Sequence, residues 1–237
     1  MVRVPARVSG APTRLGPMQA AQDPLVTEVG VFVAFEGGEG SGKSTQSRLL
    51  ADWVESLGHR TLLTREPGGT AVGARLRSIL LDPATGALSP RTEALIYAAD
   101  KAEHVDTTIL PALADGAVVI TDRYVDSTLA YQGAGRALHI GELEALARWS
   151  TADLRPHLTV LLDVDPRTGL ARAGEPDRIE GEPVEFHERV RRHFLDLAAA
   201  DPEHYVVLDA SEDPEQIHQR VRAAVQPWLA QAREVVS

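Results

Sequence analysis

A glycine-rich segment between an apolar stretch and a helical stretch places the strongest constraint on the fold of this chain. Residues 37–44 read Gly-Gly-Glu-Gly-Ser-Gly-Lys-Ser and match the pattern G-x-x-x-x-G-K-[ST]. Glycines let the backbone turn successive N–H groups inward, and the N-terminus of the following helix adds a positive dipole end. Such a loop binds phosphate oxygens. The pattern therefore predicts a nucleoside triphosphate site directly after the first strand.

Each residue type in this loop has a predicted role. Lys43 reaches the β- and γ-phosphates, and Ser44 offers a hydroxyl to Mg²⁺. The alternative is an ordinary glycine turn between a strand and a helix, which does not require the Lys-Ser ending. The predicted triphosphate-binding residues are Gly37, Gly38, Glu39, Gly40, Ser41, Gly42, Lys43, Ser44 and Thr45.

Apolar stretches alternate with helical stretches along the rest of the chain. Largely apolar strands are typical of parallel sheets that helices cover on both faces. We therefore predict an α/β fold: a three-layer, doubly wound, five-stranded parallel sheet flanked by helices. Predicted strands lie at about 31–35, 59–64, 117–120, 157–162 and 205–208, and predicted helices at about 44–57, 71–81, 90–113, 139–151, 184–200 and 213–231.

The first 28 residues differ from the rest in composition. They lack hydrophobic periodicity and are rich in Ala, Pro, Gly and Arg, which predicts a flexible N-terminal extension (1–28) ahead of one α/β domain with the phosphate loop (29–237). Arg3, Arg7 and Arg14 precede the first acidic residue, as in a transit peptide, but serine is scarce and an apolar helical face is lacking. We expect a disordered tail or a translation start at Met18.

The charge balance limits the classes of partner. A formal net charge of −10 argues against nucleic acid as the main partner, and no apolar stretch is long enough for a membrane helix. Cysteine is absent, which excludes disulfides and is compatible with a reducing, cytoplasmic location. An anionic substrate then requires basic residues concentrated in one cleft. Of the 24 basic residues 22 are arginine, because lysine occurs at two positions, 43 and 101.

Polar segments follow the predicted strands, where a doubly wound sheet binds ligands. They are the phosphate loop, residues 65–70, residues 122–124 and residues 165–182. Asp122 follows the third strand, where P-loop proteins place the carboxylate that holds Mg²⁺ through water; helix capping is the alternative role. Arg123 would be costly to bury without an anionic partner, and a phosphate is such a partner.

Several segments taken together resemble bacterial thymidylate kinases. They are 35–45 (Phe-Glu-Gly-Gly-Glu-Gly-Ser-Gly-Lys-Ser-Thr), 64–70 (Thr-Arg-Glu-Pro-Gly-Gly-Thr), 122–124 (Asp-Arg-Tyr), 127–133 (Ser-Thr-Leu-Ala-Tyr-Gln-Gly) and 177–180 (Asp-Arg-Ile-Glu). The likeness extends from about Val31 to Leu229. It implies transfer of the γ-phosphoryl group of ATP to dTMP, giving dTDP and ADP, with Mg²⁺ as cofactor. It also implies a place in dTTP supply and a homodimer.

The resemblance further implies roles on the acceptor side. Three arginines would grip the acceptor phosphate, Tyr97 would stack on thymine, and Thr128 and Gln132 would contact the base edge. Tyr131 would crowd the 2′ position of the sugar, and Glu39 would face the 3′-hydroxyl. The predicted dTMP-binding residues are Glu39, Arg65, Arg77, Tyr97, Lys101, Arg123, Thr128, Tyr131 and Gln132.

Some of these residues have structural alternatives. Arg77 could be a solvated helix residue and Tyr97 a core residue, while Thr128 and Gln132 could cap a loop. Glu39 is different, because a carboxylate beside a triphosphate loop is unfavourable without a specific partner. Lys101 departs from the family, which usually has arginine at this base-reading position. Because its ammonium donates without a planar fork, we predict weaker discrimination of the base.

Transfer between two phosphates requires alignment, exclusion of water and neutralisation of charge rather than a nucleophilic side chain. The variable positions of the phosphate loop contain no arginine, so we predict that the cation comes from a small mobile lid at about 165–182. This matches the family variant with lid arginines, although the stretch 171–175 is short and poor in arginine. We rank Arg178 ahead of Arg172. The predicted catalytic residues are Lys43, Arg178, Arg172, Glu39 and Arg123, and the predicted metal-binding residues are Ser44 and Asp122.

Three other functions remain open on the sequence. One is a P-loop kinase for another nucleoside monophosphate or a deoxynucleoside. A second is a nucleotide-dependent switch or scaffold, although the chain has no Asn-Lys-x-Asp motif for guanine. The third is a degenerate family member retained for dimer contacts, which the intact Lys43, Asp122 and Arg123 argue against.

Overall fold

A sheet of five parallel strands organises the fold. The computed structural model describes residues 30–172 and 176–236, and the predicted N-terminal extension at 1–28 lies outside the described residues. The strand order across the sheet is β2-β3-β1-β4-β5, so β1 is central. The strands are β1 (Val31–Glu36), β2 (Thr61–Arg65), β3 (Val118–Asp122), β4 (Leu158–Asp163) and β5 (Tyr205–Asp209).

Helices connect the strands. They are α1 (Lys43–Ser56), α2 (Ala71–Leu81), α3 (Pro90–His104), α4 (Leu110–Ala114), α5 (Val125–Thr128), α6 (Ile140–Ser150), α7 (Pro166–Arg172), α8 (Val184–Ala200) and α9 (Pro214–Val236). Residues Pro83–Thr85 form a 3-10 turn, and two segments, Val105–Ile109 and Leu129–Gly135, are π-helical. Within the ranges that the structure describes, no helix combines the length and the apolar character needed to cross a bilayer.

The side chains of β1 alternate between two halves of the core. Val33 and Phe35 lie in a cluster that includes residues of α1 and α9. Phe32 and Ala34 lie in a second cluster, with residues of α4 and of the π-helical turn before it. Because successive side chains on a strand point to opposite faces, this division shows that helices cover the sheet on both sides.

The parallel register brings polar residues to one edge of the sheet. Phe35 pairs with Asp122, and Asp122 pairs with Arg65 on the other side. Since the strands all run in the same direction, the loops after β1, β2, β3 and β4 leave from this same edge. It is the edge at which open α/β sheets bind ligands.

The predicted fold class is confirmed, with five parallel strands and helices on both faces. The predicted helix over 90–113 is present as α3 and α4, joined by a π-helical turn. Pro111 follows that turn; because proline lacks an N–H and crowds the carbonyl four residues earlier, the wider turn accommodates it. The sequence pattern predicts no element at α5, at the π-helical 129–135 or at α7, and the structure adds these three.

Candidate active site

Three glycines give the phosphate loop its shape. The φ angles are 138° at Gly37, 62° at Gly40 and 90° at Gly42, a region that favours glycine because it has no Cβ. Helix α1 begins at Lys43, immediately after Gly42. Its first N–H groups therefore add to the N–H groups of the loop, which is the arrangement that binds anions.

The loop also contacts the N-terminal part of the predicted lid. Gly40 and Gly169 approach so closely that a Cβ at Gly40 would collide with the carbonyl of Gly169, and a Cβ at Gly169 with the carbonyl of Glu39. Gly169 belongs to α7. This contact fixes the position of α7 relative to the phosphate loop.

Lys43 is a buried cation inside the loop. Its Nζ donates to the carbonyl of Gly38 at 2.6 Å and lies 3.3 Å from Ser41 Oγ. Burial, followed by the nearby Arg123, lowers the pKa of Lys43. The ammonium is thus held over the loop, where a triphosphate would neutralise it.

Ser44 and Asp122, the predicted metal-binding residues, lie side by side at the phosphate loop. Ser44 Oγ donates to Asp122 Oδ2 at 2.5 Å, across the gap between α1 and β3. A hydroxyl and a carboxylate are ligands that Mg²⁺ accepts, with water and phosphate oxygens completing its shell. Among the described residues no cluster of three or more His, Cys, Asp or Glu side chains could hold a metal. The donor set therefore fits Mg²⁺ delivered with a nucleotide rather than a metal site built from protein alone.

Arg123 connects the two sides of the cleft. Its backbone has φ 73°, and its guanidinium donates to the carbonyl of Gly37 at 3.0 Å and to Ser127 Oγ at 3.1 Å. It also forms an ion pair with Glu39 at 2.8 Å. Burial is the largest single effect and opposes its charge, but Glu39 and the other acidic groups around it together raise the pKa of Arg123 well above its ordinary value. Arg123 therefore stays a cation in a largely enclosed position.

Glu39 is the carboxylate of the phosphate loop, and it faces the acceptor side. Its Oε1 accepts hydrogen bonds from Arg123 at 2.8 Å and from the Tyr131 hydroxyl at 2.7 Å. Burial would raise its pKa, but Arg123 and then Lys43 lower it to about 2. Glu39 is therefore ionised, and its remaining oxygen can accept a hydrogen bond from a substrate hydroxyl.

The predicted substrate residues come together in two adjoining cavities. The first, of about 390 Å³, lies along the phosphate loop; Arg65, Arg123 and Arg172 are on its walls. The second, of about 130 Å³, we call the acceptor cavity. Eight predicted dTMP residues line the acceptor cavity: Glu39, Arg77, Tyr97, Lys101, Arg123, Thr128, Tyr131 and Gln132. The ninth, Arg65, lines the first cavity, and the individual roles stay predictions.

Lys101 forms a buried ion pair at the edge of the acceptor cavity. Its Nζ lies 2.8 Å from Glu66 Oε2, and both side chains are at most 2% exposed. The other carboxylate oxygen of Glu66 lies 2.9 Å from His104 Nδ1. Burial would raise the pKa of Glu66, but Lys101 lowers it. The ammonium at this base-reading position is thus partly engaged by a protein carboxylate.

The two arginines ranked for the lid occupy different places. Arg172 lines the phosphate-loop cavity and donates to the carbonyl of Ala210 at 3.1 Å. Arg178 donates from Nε to the carbonyl of Leu80 at 2.6 Å and pairs with Glu93 at 2.6 Å. Arg178 lines neither cavity. The structure therefore brings Arg172 to the phosphate-loop cavity and Arg178 to Glu93, whereas the sequence analysis ranks Arg178 first.

Glu36 supports the site from behind, a role that the sequence analysis did not predict. It is fully buried at the end of β1, and it accepts hydrogen bonds from the N–H groups of Tyr124 and Ser127 at 2.8 and 3.1 Å. The Ser127 hydroxyl, which accepts from Arg123, donates to Glu36 at 2.6 Å. Burial, followed by the charge of Asp126, raises the pKa of Glu36 to about 7. An acidic residue that directly follows an apolar strand was the available signal.

The fold and the site together define a class of protein. A parallel sheet in the order β2-β3-β1-β4-β5 carries a phosphate loop after its central strand. A cation-lined cavity for a triphosphate adjoins a smaller cavity that contains aromatic, amide and guanidinium groups. This combination is that of a P-loop nucleotide kinase.

Comparison with known proteins identifies the family within this class. The thymidylate kinase family model matches residues 35–221. Thymidylate kinase of Cutibacterium acnes is 55% identical over 196 residues, which is 83% of this chain and 96% of that protein. Thymidylate kinase of Clavibacter michiganensis is 50% identical over 205 residues, 85% of this chain and 97% of that protein. The crystal structure of thymidylate kinase from Ehrlichia chaffeensis superposes with a TM-score of 0.70 at 33% identity, covering 83% of this chain and 98% of that one. The chain belongs to the thymidylate kinase family.

Replacing the buried Glu36 is expected to change how stability depends on pH. The folded chain retains the Glu36 proton up to about pH 7, whereas the unfolded chain releases it near 4.5. Because the unfolded state binds fewer protons in this interval, the free energy of unfolding falls as the pH rises, and Glu36→Gln removes this fall. Between pH 5 and 8 the free energy of unfolding of the wild type should fall by about 2 kcal/mol relative to that of the variant. Urea unfolding of both proteins measures the difference; a difference that is constant with pH contradicts the account.

Proposed function

We propose that this protein transfers the γ-phosphoryl group of ATP to dTMP, giving dTDP and ADP in the dTTP supply pathway. The observation that carries the proposal is that the two cavities adjoin. Their shared wall contains two arginines, Arg77 and Arg123, and three carboxylates, Glu39, Glu66 and Glu180. A donor phosphate on the loop and an acceptor phosphate on these arginines would meet at the shared wall. In-line transfer between two phosphates requires this arrangement.

On the donor side, the phosphate loop would hold the β- and γ-phosphates of ATP. Its backbone N–H groups and Lys43 neutralise these phosphates. Ser44 and Asp122 would hold Mg²⁺, which when bound neutralises charge on the phosphate oxygens. The distance of 2.5 Å between Ser44 Oγ and Asp122 Oδ2 supports this assignment.

On the acceptor side, three guanidinium groups would hold the phosphate of dTMP. Arg65 and Arg123 flank the end of the sheet, and Arg77 donates to the carbonyl of Pro67 at 2.9 Å. Guanidinium groups match a phosphate with paired, charge-assisted hydrogen bonds. Glu39 would accept from the 3′-hydroxyl, and Tyr131 lies beside it at 2.7 Å, where its ring would exclude a 2′-hydroxyl.

Arg172 would supply the cation at the transferred group. It lies at the end of α7, which contacts the phosphate loop through Gly169, and it lines the cavity of that loop. We further propose that residues 165–182 act as a lid that excludes water when both nucleotides are bound. Residues 173–175 of this segment lie outside the described part of the chain.

We also propose a homodimer and a cytoplasmic location. Helix α2 packs against α3, and α3 packs against α6. These three helices expose large apolar side chains, Leu95 at 58% and Trp149 at 81% among them, with Val72 and Ile79 on α2. A second copy of the chain would bury such a surface.

Sedimentation equilibrium should give twice the chain mass of 25.5 kDa, and a monomer mass at micromolar concentration contradicts the dimer. Recovery of the protein outside the cytosolic fraction contradicts the location.

A coupled assay of ADP release tests the proposed reaction. With ATP and Mg²⁺, dTMP should be the best acceptor among dTMP, dUMP, dCMP and thymidine, because it alone combines the phosphate, the N3–H edge and the 5-methyl group. Lys43→Ala serves as the control and should lose at least about a hundredfold in kcat, roughly 2.7 kcal/mol of barrier. ADP release that does not depend on any monophosphate acceptor contradicts the proposal and favours a switch or scaffold.

Replacing Arg172 and Arg178 in turn tests which of the two supplies the cation at the transferred group. Arg172→Ala is expected to lower kcat at least about tenfold, roughly 1.4 kcal/mol, because a cation near the transferred phosphoryl group is lost. Arg178→Ala should change kcat less than Arg172→Ala does. Arg167→Ala is the matched control, since Arg167 is exposed and pairs loosely with Glu188 at 3.8 Å. A larger loss of kcat in Arg178→Ala than in Arg172→Ala overturns the choice.

A further inference from the structure

A buried carboxylate lies behind the base end of the acceptor cavity. Glu93, in the first turn of α3, is 1% exposed. Its Oε1 accepts from Gln132 Nε2 at 3.0 Å and from Arg136 Nε at 3.2 Å. Its Oε2 accepts from Arg136 at 3.3 Å and pairs with Arg178 at 2.6 Å. Burial would raise the pKa of Glu93, but the hydrogen bonds from Arg136, Gln132 and Arg178 lower it below its ordinary value. Glu93 is therefore ionised and can only accept hydrogen bonds.

This carboxylate fixes the orientation of the Gln132 amide. An amide has a donor end and an acceptor end, and the partners on either side decide which end faces which way. Since Glu93 has no proton to donate, the NH₂ group of Gln132 must face it. If the amide turned over, two oxygen atoms would meet without a hydrogen, in a site that is buried from water. Gln132 Oε1 is then the end that remains for the acceptor cavity, which Gln132 lines.

The neighbouring polar group in the cavity has no such fixed polarity. Thr128 lies one helical turn before Gln132, and its Oγ1 is buried without a hydrogen-bond partner among the described residues. It also lines the acceptor cavity. A hydroxyl can donate or accept by rotating, so Thr128 can adapt to either kind of base edge. Of these two residues, Gln132 is therefore the one whose hydrogen-bond polarity is fixed.

We propose that Glu93 is a positioning residue that makes the cavity select pyrimidines with an N3–H by holding Gln132 Oε1 towards the base. Thymine and uracil carry a donor at N3, whereas cytosine carries an acceptor there. A fixed carbonyl oxygen pairs with the first and leaves an unpaired acceptor against the second. Sites that must bury an unpaired polar group reject such a ligand strongly. The inference rests on the proposed function, because it assigns the base preference of the same cavity.

The ion pairs of Glu93 give Arg178 a role that does not involve the transferred phosphate. Arg136 is held in turn by Glu182, whose Oε1 accepts from Arg136 NH1 at 2.5 Å. Arg136 and Arg178 together keep the carboxylate charged and in place. Their positive charge also predicts what glutamine would do at position 93. The guanidinium groups would bind its oxygen, its NH₂ group would then face Gln132, and the Gln132 amide would turn over.

The test compares dTMP with 5-methyl-dCMP, which keeps the methyl group and the shape but reverses the polarity at N3 and C4. Glu93→Gln is expected to lower the ratio of kcat/KM for dTMP to kcat/KM for 5-methyl-dCMP at least about tenfold. Glu182→Gln is the matched control; it removes a carboxylate from the same arginine without touching Gln132, and its ratio should equal that of the wild type. If Glu93→Gln lowers this ratio less than tenfold, the proposal is overturned.

Two further variants separate positioning from damage to the fold. If Glu93→Gln fails to show a cooperative melt, Glu93→Asp carries the test, because it keeps the charge but withdraws the carboxylate from Gln132; a ratio equal to that of the wild type overturns the proposal. In a Gln132→Met background, Glu93→Gln should cause no further fall in the ratio. A fall as large as in the wild-type background means that Glu93 does not act through Gln132. If the wild type does not phosphorylate dTMP at all, the proposed function fails rather than this inference.

Discussion

The cleft depends on the way that Arg123 is bound on several sides at once. Its backbone N–H donates to the carbonyl of Phe35 at 2.9 Å, and its guanidinium reaches Gly37, Glu39 and Ser127. These partners come from β1, from the phosphate loop and from α5. One side chain thereby fixes the donor loop relative to the acceptor segment. The positive φ angle at Arg123 is a strained conformation for a residue with a Cβ, and these contacts are what stabilise it.

The distribution of charge follows from this arrangement. The chain carries a net charge of −10, yet Arg65, Arg77, Arg123 and Arg172 surround one cleft. Two acids, the half-buried Glu39 and the buried Glu66, each have a cation within 2.8 Å and a lowered pKa. Buried carboxylates without such a partner are favoured in the neutral form. Glu36 shows this effect, since it accepts hydrogen bonds from N–H and hydroxyl groups and its pKa is raised.

Much of the fold can be predicted from local sequence patterns, whereas several features of the site depend on contacts between distant segments. The strands and most helices are predicted because buried parallel strands are apolar and helices between them are amphipathic. The nine acceptor-side residues are predicted from the resemblance to thymidylate kinases rather than from local patterns alone. The roles of Glu36 and Glu93 are not, because each depends on partners 39 to 91 positions away. The positions of Arg172 and Arg178 also depend on such contacts, with Ala210 and with Glu93, which spacing along the chain does not reveal.

The central claim is that the guanidinium groups in the shared wall of the two cavities bind the phosphate of a nucleoside monophosphate. Titration calorimetry of dTMP and of thymidine in the absence of ATP tests this claim most directly. Charge-assisted hydrogen bonds to a phosphate should make dTMP bind at least about tenfold more tightly than thymidine, a difference of roughly 1.4 kcal/mol. Equal affinities for dTMP and thymidine would contradict the account, because they would show that the arginines do not bind the phosphate.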